Sequence, residues 1–308
     1  MQVCRTLPGH SQTPTALTIG NFDGVHTGHQ AMLARLQAQA RELGLPVCVL
    51  TFEPHPREFF APQSAPTRLT SLREKLELLA AHGIERVHVS HFNRAYASLS
   101  PQDFIERVLI AGLGMRWLLI GDDFRFGAKR AGDFALLELA SKNRAFALEA
   151  MHTVQNEGVR VSSSAVRSAL AAGKLDKAEA LLGRPYSISG RVVHGDKIGR
   201  QLGFATANVQ LKHNRPPLYG IFAVRAIDSR GHARFGVASL GVRPTVDASG
   251  RAKLEVHLFD FAGDLYGEHL RVEFLHKLRD EEKYSDLDTL KAQIARDAEA
   301  ARSFLTEN

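Results

Sequence analysis

The chain has 308 residues, of which 44% are hydrophobic, and a net charge of +6. This length favours one or two domains with buried cores, and the charge favours anionic partners such as phosphates, nucleotides or nucleic acid. On charge alone, however, a basic solvated surface is the better explanation. With only Cys4 and Cys48 and no CxxC pair, we expect neither a disulfide framework nor a cysteine zinc site, and we expect a reducing, cytoplasmic location. An apolar signal segment and long apolar runs are lacking, so we expect no signal peptide and no membrane span.

The first half alternates strand-like and helix-like segments. Continuous or alternating apolar runs predict strands, and apolar residues at helical spacing before a glycine predict helices. The predicted strands are 16–20, 45–52, 84–92, 115–121 and 146–154, and the predicted helices are 29–44, 70–83 and 100–114. The first helix should bury one face, formed by Leu33, Leu36, Ala40 and Leu43. This alternation predicts a parallel sheet with right-handed crossovers.

The pattern changes near Gly183. Two short helices, 162–173 and 174–183, precede closely spaced strands without intervening helices, which predict an antiparallel barrel. The predicted strands are 186–195, 221–229, 232–241, 253–261 and 269–278. A last helix should start near Ser285, with Leu287, Leu290 and Ile294 on one face. We therefore predict two domains, residues 1–183 and 184–308.

The segment GNFDGVHTGHQ (20–30) joins the first predicted strand to the first helix. Ligands bind at the carboxyl ends of parallel strands, and a helix N-terminus attracts anions. Its candidate binding residues are Asn21, Asp23, Gly24, His26, Gly28 and His29. The glycines let the backbone approach a ligand, and the two histidines can donate hydrogen bonds to phosphate oxygens. The alternative is a pair of ordinary surface histidines between turn glycines, but the position between strand and helix favours a binding function.

A second candidate phosphate site is HGDKIGRQLGFATAN (194–208). Its glycines allow close backbone approach, its two cations add positive charge, and its hydroxyl and amide oxygens suit a magnesium ion. These residues are Gly195, Lys197, Gly199, Arg200, Gly203, Thr206 and Asn208. Taken in isolation, the segment is better explained as a basic hairpin interrupted by glycines, and it lacks the ending of a Walker A motif.

The segment GNFDGVHTGHQ resembles the HxGH signature of the nucleotidyltransferase superfamily. With it, TFEPHP (51–56), GDDFRFG (121–127) and VSSSAVR (161–167) resemble the FMN adenylyltransferase module of the bacterial bifunctional riboflavin kinase/FAD synthetases. The second half resembles their riboflavin kinase module in GRPYSISGRVVHGDKIGRQLGFATAN, SLGVRPTV, LEVHLFDFAGDLYG and LRDEEKY. The resemblance covers nearly the whole chain. It implies an α/β plus all-β protein, with an N-terminal Rossmann-like nucleotidyltransferase α/β/α domain and a C-terminal antiparallel Greek-key β-barrel with a terminal helix.

The resemblance also implies two activities. The C-terminal domain would phosphorylate riboflavin to FMN with ATP, and the N-terminal domain would adenylylate FMN to FAD and release pyrophosphate. Mg²⁺ is the implied cofactor, and ATP, riboflavin and FMN are the implied small-molecule partners. Neither a nucleic acid nor a membrane partner is implied, whereas flavin-requiring apoproteins are expected as transient acceptors.

The same resemblance assigns roles to single residues. His26 and His29 would hold the ATP phosphates, and Glu255 would be the base that deprotonates riboflavin. Thr206 and Asn208 would bind Mg²⁺. Further nucleotide and flavin contacts would come from His55, Asp122, Asp123, Arg125, Ser162, Ser163, Ser164, Arg167 and Arg279.

Simpler structural roles remain open for several of these residues. His55 lies between two prolines and can form a rigid turn, and Ser162 can be a plain helix N-cap. Asp123 can belong to a solvated turn, and Glu255 can face solvent on the barrel wall. His257 is expected to be structural.

Three departures from the family pattern bear on activity. Ser164 replaces a threonine, Ala165 replaces a basic residue and Ala205 replaces a proline. Ala205 predicts a more mobile loop, and hence a weak kinase as a second hypothesis, but Thr206, Asn208 and Glu255 are retained. A third hypothesis is a barrel that binds RNA or senses flavin without turnover. The absence of an RNP-like aromatic string argues against RNA binding.

Overall fold

A computed structural model of the chain describes residues 1–144, 146–156, 158–195, 203–212, 215–241 and 252–307. The chain divides into two compact units. The first unit is Met1–Pro66 with Lys75–Val161, and the second is Thr67–Glu74 with Ser162–Asn308. Within the described residues, no helix is both long enough and apolar enough to cross a membrane. The functional boundary near residue 184 stays a prediction.

A six-stranded parallel sheet forms the centre of the first unit. Its strands are β1 (Gln2–Cys4), β2 (Thr15–Ile19), β3 (Val47–Glu53), β4 (Arg86–His91), β5 (Met115–Gly121) and β6 (Ala147–Met151). They lie in the order β1-β4-β3-β2-β5-β6, and each neighbouring pair is parallel. The chain therefore passes from β2 to β3 on one side and later returns to β5 on the other. The carboxyl end of β2 is thus the topological switch point, where open parallel sheets bind ligands.

Helices and short turns connect these strands. In chain order they are α1 (Thr27–Leu43), α2 (Pro56–Phe60), α3 (Leu72–Ala81), α4 (Arg94–Ala97), α5 (Pro101–Asp103), a π-helix (Phe104–Gly112), a 3₁₀ turn (Ala128–Arg130), α6 (Phe134–Arg144) and the hairpin β7 (Gln155–Asn156) and β8 (Val159–Arg160). Helix α1 buries Leu33, Leu36 and Ala40 as predicted. The prediction for Leu43 is wrong: this residue is 47% exposed, because α1 ends there and Gly44 turns the chain away with φ +65°.

The second unit is built around a closed antiparallel barrel. Its strands are β9 (Tyr186–Val193), β10 (Ala207–Val209), β11 (Gly220–Ile227), β12 (Ala233–Gly241), β13 (Lys253–Leu258) and β14 (His269–Arg279). The order is β10-β13-β12-β11-β14-β9. The stretch β14-β11-β12-β13 within it is a Greek key, since three consecutive strands are followed by a fourth beside the first. Phe222 and Phe274 fill the interior, with ring centroids 5.1 Å apart.

Three longer helices belong to the second unit: α7 (Ser163–Ala171), α8 (Leu175–Leu182) and α9 (Leu287–Glu307). The last one packs on the barrel beside Ala223 and Val237 through Ala301, which is fully buried. Its predicted apolar face is wrong at Leu287, which is 62% exposed, because the buried contacts of α9 come from its later turns.

Candidate active sites

The loop that follows β2 has a strained backbone. Phe22, Gly24 and Val25 have φ values of +48°, +83° and +41°, in the left-handed region that favours glycine. Phe22 and Val25 tolerate this conformation because both side chains are fully buried and anchor the loop in the core. The loop therefore holds a defined shape at the switch point of the sheet.

His26 and His29 lie together at the end of this loop. His26 is the N-cap of α1, and its Nδ1 accepts the backbone N–H of His29 at 3.3 Å. In the neutral His26 ring the proton is therefore on Nε2, which can donate to a ligand. The two rings stack with centroids 3.7 Å apart and planes at 15°. A side chain at Gly28 would place its Cβ 3.2 Å from His26 Nδ1, so glycine leaves room for this ring.

The electrostatic environment keeps His29 uncharged. Burial is the main cause that lowers the pKa of His29 well below 6.5, and the nearby His26 and Lys75 lower it further. Within the described part of the chain, His29 Nδ1 and Asn21 Oδ1 are buried without a hydrogen-bond partner. Buried polar atoms are rarely left unsatisfied, so these two atoms mark the place where a polar ligand fits.

The lowered pKa of His29 predicts a pH-dependent stability. Below pH 6.5 the unfolded chain protonates this histidine and the folded chain does not, so acid favours unfolding, by at most about 1.4 kcal/mol per pH unit. We expect the His29→Ala variant to lose less stability than the unmodified chain between pH 7.5 and 5.5, as measured by urea unfolding. His88, whose pKa burial also lowers, leaves some pH dependence in the variant. An exposed control, His10→Ala, should behave like the unmodified chain, and equal acid sensitivity of all three proteins would contradict the prediction.

His55 has a clear structural role. It is the N-cap of α2. Its ring Nδ1 accepts the backbone N–H of Arg57 at 3.1 Å, and its backbone N–H donates to the Glu58 carboxylate at 3.1 Å. The rigid-turn alternative thus describes what this side chain does here. Its contribution to a nucleotide pocket stays a prediction.

The sequence reasoning missed an aromatic patch beside His55. Its rings, from the ends of β3 and β4 and from α2 and α4, meet mostly edge to face with centroids 5.2–5.8 Å apart. They belong to Phe52, Phe59, Phe60, Phe92 and Tyr96. Phe60 is 67% exposed, so the patch offers a flat aromatic ligand a place to stack. The FF pair at 59–60 was the one visible signal.

The charged turn after β5 is solvated. Asp123 pairs with Arg160 at 2.6 Å and Arg125 with Asp133 at 2.8 Å, and Asp122 is exposed. Exposed pairs of this kind contribute little to stability, because water screens the two charges. The solvated-turn alternative therefore describes Asp123, and the ligand contacts expected of Asp122 and Arg125 stay predictions.

The serine segment opens α7 in the second unit. Ser162 is the N-cap, and its Oγ accepts the N–H of Ala165 at 3.2 Å, as the simpler alternative expects. Ser163 and Ser164 form the first turn, and Arg167 donates through Nε to the carbonyl of Thr67.

In the barrel, Glu255 lies in a polar row across three strands. Leu254, Val256 and Leu258 are buried, whereas Glu255 alternates with them and is half-buried on the opposite face of β13. Directly across from it lie Asn208 on β10 and Ser239 on β12. Directly opposite residues have their side chains on the same face and in reach of each other, so the fold brings the predicted base and a predicted magnesium ligand together.

Two described residues before β10, Gly195 and Ala205, lie against side chains of the barrel. A Cβ at Gly195 would overlap the amide of Asn208, so glycine makes room for that side chain. His257 contacts the carbonyl of Ala205 through Nδ1 at 2.9 Å, a structural role that matches its prediction. Lys197, Gly199 and Arg200 lie outside the described residues.

Hard oxygen ligands are available for a magnesium ion in this part of the barrel. No cluster of three His, Cys, Asp or Glu side chains suited to a metal occurs in the described ranges. The hydroxyl of Thr206 and the amide oxygen of Asn208 nevertheless fit Mg²⁺, because it prefers hard oxygen ligands and is usually held by few protein groups together with water and substrate phosphates.

Arg279, at the end of β14, is held by the last helix. Its Nε and Nη2 donate to the two carboxylate oxygens of the buried Asp297 at 2.8 and 2.6 Å, and these bonds are the main cause that raises the pKa of Arg279. Its guanidinium carbon also lies 5.9 Å from the centre of the Tyr284 ring. The sequence reasoning missed Asp297, an acidic residue at a buried position of α9.

An HxGH loop at the switch point of a parallel sheet, followed by a Greek-key barrel with a carboxylate opposite an asparagine amide, is typical of a two-part, nucleotide-using transferase. Comparison with known proteins narrows this class. The FAD synthetase family model matches residues 9–165 and the riboflavin kinase family model matches residues 182–305. The chain belongs to the family of bifunctional riboflavin kinase/FMN adenylyltransferases.

Similar proteins agree with this assignment. A bifunctional riboflavin kinase/FMN adenylyltransferase from Pseudomonas fluorescens is 54% identical over 286 residues, 93% of this chain and 91% of the relative. One from Escherichia coli K12 is 50% identical over 307 residues, 99% and 98% of the two chains. A solved structure described as a macrolide-efflux protein from Streptococcus pneumoniae has a TM-score of 0.82 at 28% identity, with 97% and 98% coverage. The predicted family, fold class and enzyme class are confirmed.

Proposed function

We propose that the chain makes FAD from riboflavin in two ATP-dependent steps, one in each unit. The observation that carries the proposal is the pair of chemically different residue sets. Two stacked histidines, of which His29 is kept neutral by burial, lie at the switch point of the sheet, and Glu255 lies opposite Asn208 on the barrel. The histidines can donate hydrogen bonds to the charge that develops in adenylyl transfer. A carboxylate beside a magnesium ligand can act as the base of a kinase.

In the adenylyl transfer, a phosphate oxygen of FMN attacks the α-phosphorus of ATP and pyrophosphate leaves. His26 donates from Nε2, and the N-terminal end of α1 contributes a partial positive charge toward the phosphates. His29 acts as a neutral donor, and Asn21 accepts from the ligand through Oδ1. No protein nucleophile is required, so positioning and charge stabilisation account for catalysis.

The aromatic patch supplies a place for the flavin ring of FMN. Phe59 and Phe60 are exposed on α2, which follows the carboxyl end of β3, and both contact the ring of Phe92 just after β4. These rings therefore lie at the edge of the sheet where parallel folds bind ligands. Stacking on such rings would hold the isoalloxazine while the phosphates meet the HxGH loop. Asp122, Arg125 and His55 remain proposed contributors to this reaction, and the phosphate contacts expected of Ser162, Ser163, Ser164 and Arg167 stay predictions.

In the kinase step, Glu255 takes the proton of the ribityl 5′-hydroxyl, and the oxygen attacks the γ-phosphorus of ATP with release of ADP. Thr206 and Asn208 would hold Mg²⁺, which neutralises phosphate charge when bound. Arg279, which Asp297 holds by hydrogen bonds, would contact the flavin. The contact between His257 and the Ala205 carbonyl holds the segment where proline is missing, which supports an active rather than a weak kinase.

Three finer expectations complete the proposal. We keep the functional boundary near residue 184, a cytoplasmic location and transient delivery of flavin to apoproteins. Both cysteines are free, as a reducing compartment requires, and burial raises the pKa of the Cys48 thiol to about 12.

The decisive assay is incubation of the purified chain with riboflavin, ATP and Mg²⁺. We expect FMN with ADP first, and then FAD with pyrophosphate, all separated by chromatography. Omission of the metal should stop both reactions. Folded protein that forms neither flavin product would overturn the proposal, and salt-sensitive RNA binding without turnover would support the RNA hypothesis instead.

A further inference from the structure

A second carboxylate extends the polar row on the barrel. Ser239, directly opposite Glu255, donates its hydroxyl to Glu281 Oε1 at 3.1 Å. A Cβ at Gly241 would overlap the carboxylate of Glu281, so glycine at this position leaves the space that the carboxylate occupies. At the other end of the row, Gly195 likewise leaves the space that the amide of Asn208 occupies. On each side of Glu255, a polar side chain therefore packs against a glycine: Glu281 against Gly241 and Asn208 against Gly195.

The strand order decides what Glu281 can contact. The row runs from Asn208 on β10 through Glu255 on β13 to Ser239 on β12, and adjacent strands are about 4.8 Å apart. Glu281 lies over β12, two strands from Asn208. A Mg²⁺ ion at Asn208 would need ligands at about 2.1 Å, so Glu281 is too far away to share that ion.

The direction of phosphoryl transfer indicates on which side of Glu255 the ribityl chain of riboflavin lies. In an in-line displacement, the carbon chain that bears the attacking oxygen points away from the leaving phosphate. With the phosphates on the Asn208 side and the 5′-oxygen at Glu255, the ribityl chain extends toward β12. Its secondary hydroxyls are hydrogen-bond donors, and a carboxylate accepts such bonds well.

We infer that Glu281 binds the secondary hydroxyls of the ribityl chain and makes the kinase selective for a polyol-bearing flavin. Ser239 and Gly241 are positioning residues that hold its carboxylate. The inference rests on the proposed kinase function. The bidentate bond between Arg279 and Asp297 supports it, because this bond fixes the end of β14 from which the segment of Glu281 continues.

The test is the Glu281→Gln variant in the full chain. Loss of a charged acceptor should raise the KM for riboflavin by roughly 10- to 100-fold, with little change in kcat or in the KM for ATP. Ser239→Ala should shift the KM in the same direction by less. Glu282→Gln is the matched control, since this neighbouring exposed carboxylate contacts Tyr284, and it should leave the KM unchanged.

Lumiflavin carries the flavin ring without the ribityl hydroxyls, so it distinguishes loss of ribityl binding from general damage to the flavin site. Its affinity, measured by fluorescence quenching, should be equal in the Glu281→Gln variant and the unmodified chain. An unchanged KM for riboflavin, or an equal loss of lumiflavin affinity, would overturn the inference. In either case FMN formation by the unmodified chain would leave the proposed kinase function intact, whereas no FMN from that chain would refute the function itself.

Discussion

Replacement of Glu255 by glutamine should lower FMN formation from riboflavin by about 10²–10⁴-fold, the contribution of a positioned general base. Glutamine keeps the size and a hydrogen-bonding group but cannot take the proton of the 5′-hydroxyl. The residue is half-buried on the outer side of β13, so the barrel interior is unaffected. FAD formation from added FMN should remain unchanged, since the histidines that we assign to it belong to the other unit. Both rates can be measured by chromatography of the flavins.

Glu268→Gln is a suitable control for this experiment. Glu268 precedes β14 and accepts a hydrogen bond from Ser229 at 2.7 Å, so the change removes a barrel carboxylate without touching the polar row. Both variants should melt within a few degrees of the unmodified chain. A folded Glu255→Gln variant that still makes FMN at the original rate would remove Glu255 from the role of base.

The parts of the fold that sequence reasoning predicted well have strong local patterns. Strand β2 is buried along its whole length and α1 is amphipathic and closed by Gly44, so hydrophobic periodicity identifies both. Strands β1 and β10 were missed because each has three residues, too few for a period, and each exists through its pairing with a distant strand. The π-helical stretch after Asp103 has the apolar spacing of an ordinary helix, so its hydrogen-bond pattern was not visible either.

The candidate sites were predictable as motifs but not as arrangements. The loop around His26 is local, so its position before α1 followed from the sequence. The pairing of Glu255 with Asn208 depends on the register between two strands 47 residues apart, which no local pattern encodes. The aromatic patch and the bond between Arg279 and Asp297 likewise join segments that meet only in the folded chain.

Replacement of His29 by alanine should lower FAD formation from FMN by roughly 10²–10³-fold and leave FMN formation from riboflavin nearly intact. The variant loses a neutral donor next to the developing charge, together with the ring that stacks on His26 at 3.7 Å. Alanine is a good helix former in the first turn of α1, so the fold should be kept. His26 is a less clean target, because its side chain also caps α1 and its loss would cost about 1 kcal/mol in stability.

The two reactions of one chain provide the internal control for this variant. Preparations should be compared at equal folded concentration, with melting curves for the unmodified chain, His29→Ala and the exposed control His10→Ala. The HxGH loop and the polar row consist of different residues. The ratio of FAD formation from FMN to FMN formation from riboflavin should therefore fall in His29→Ala and rise in Glu255→Gln. A folded His29→Ala variant that slowed both reactions equally would mean that the histidines serve a step common to both, and the assignment of separate sites would have to be abandoned.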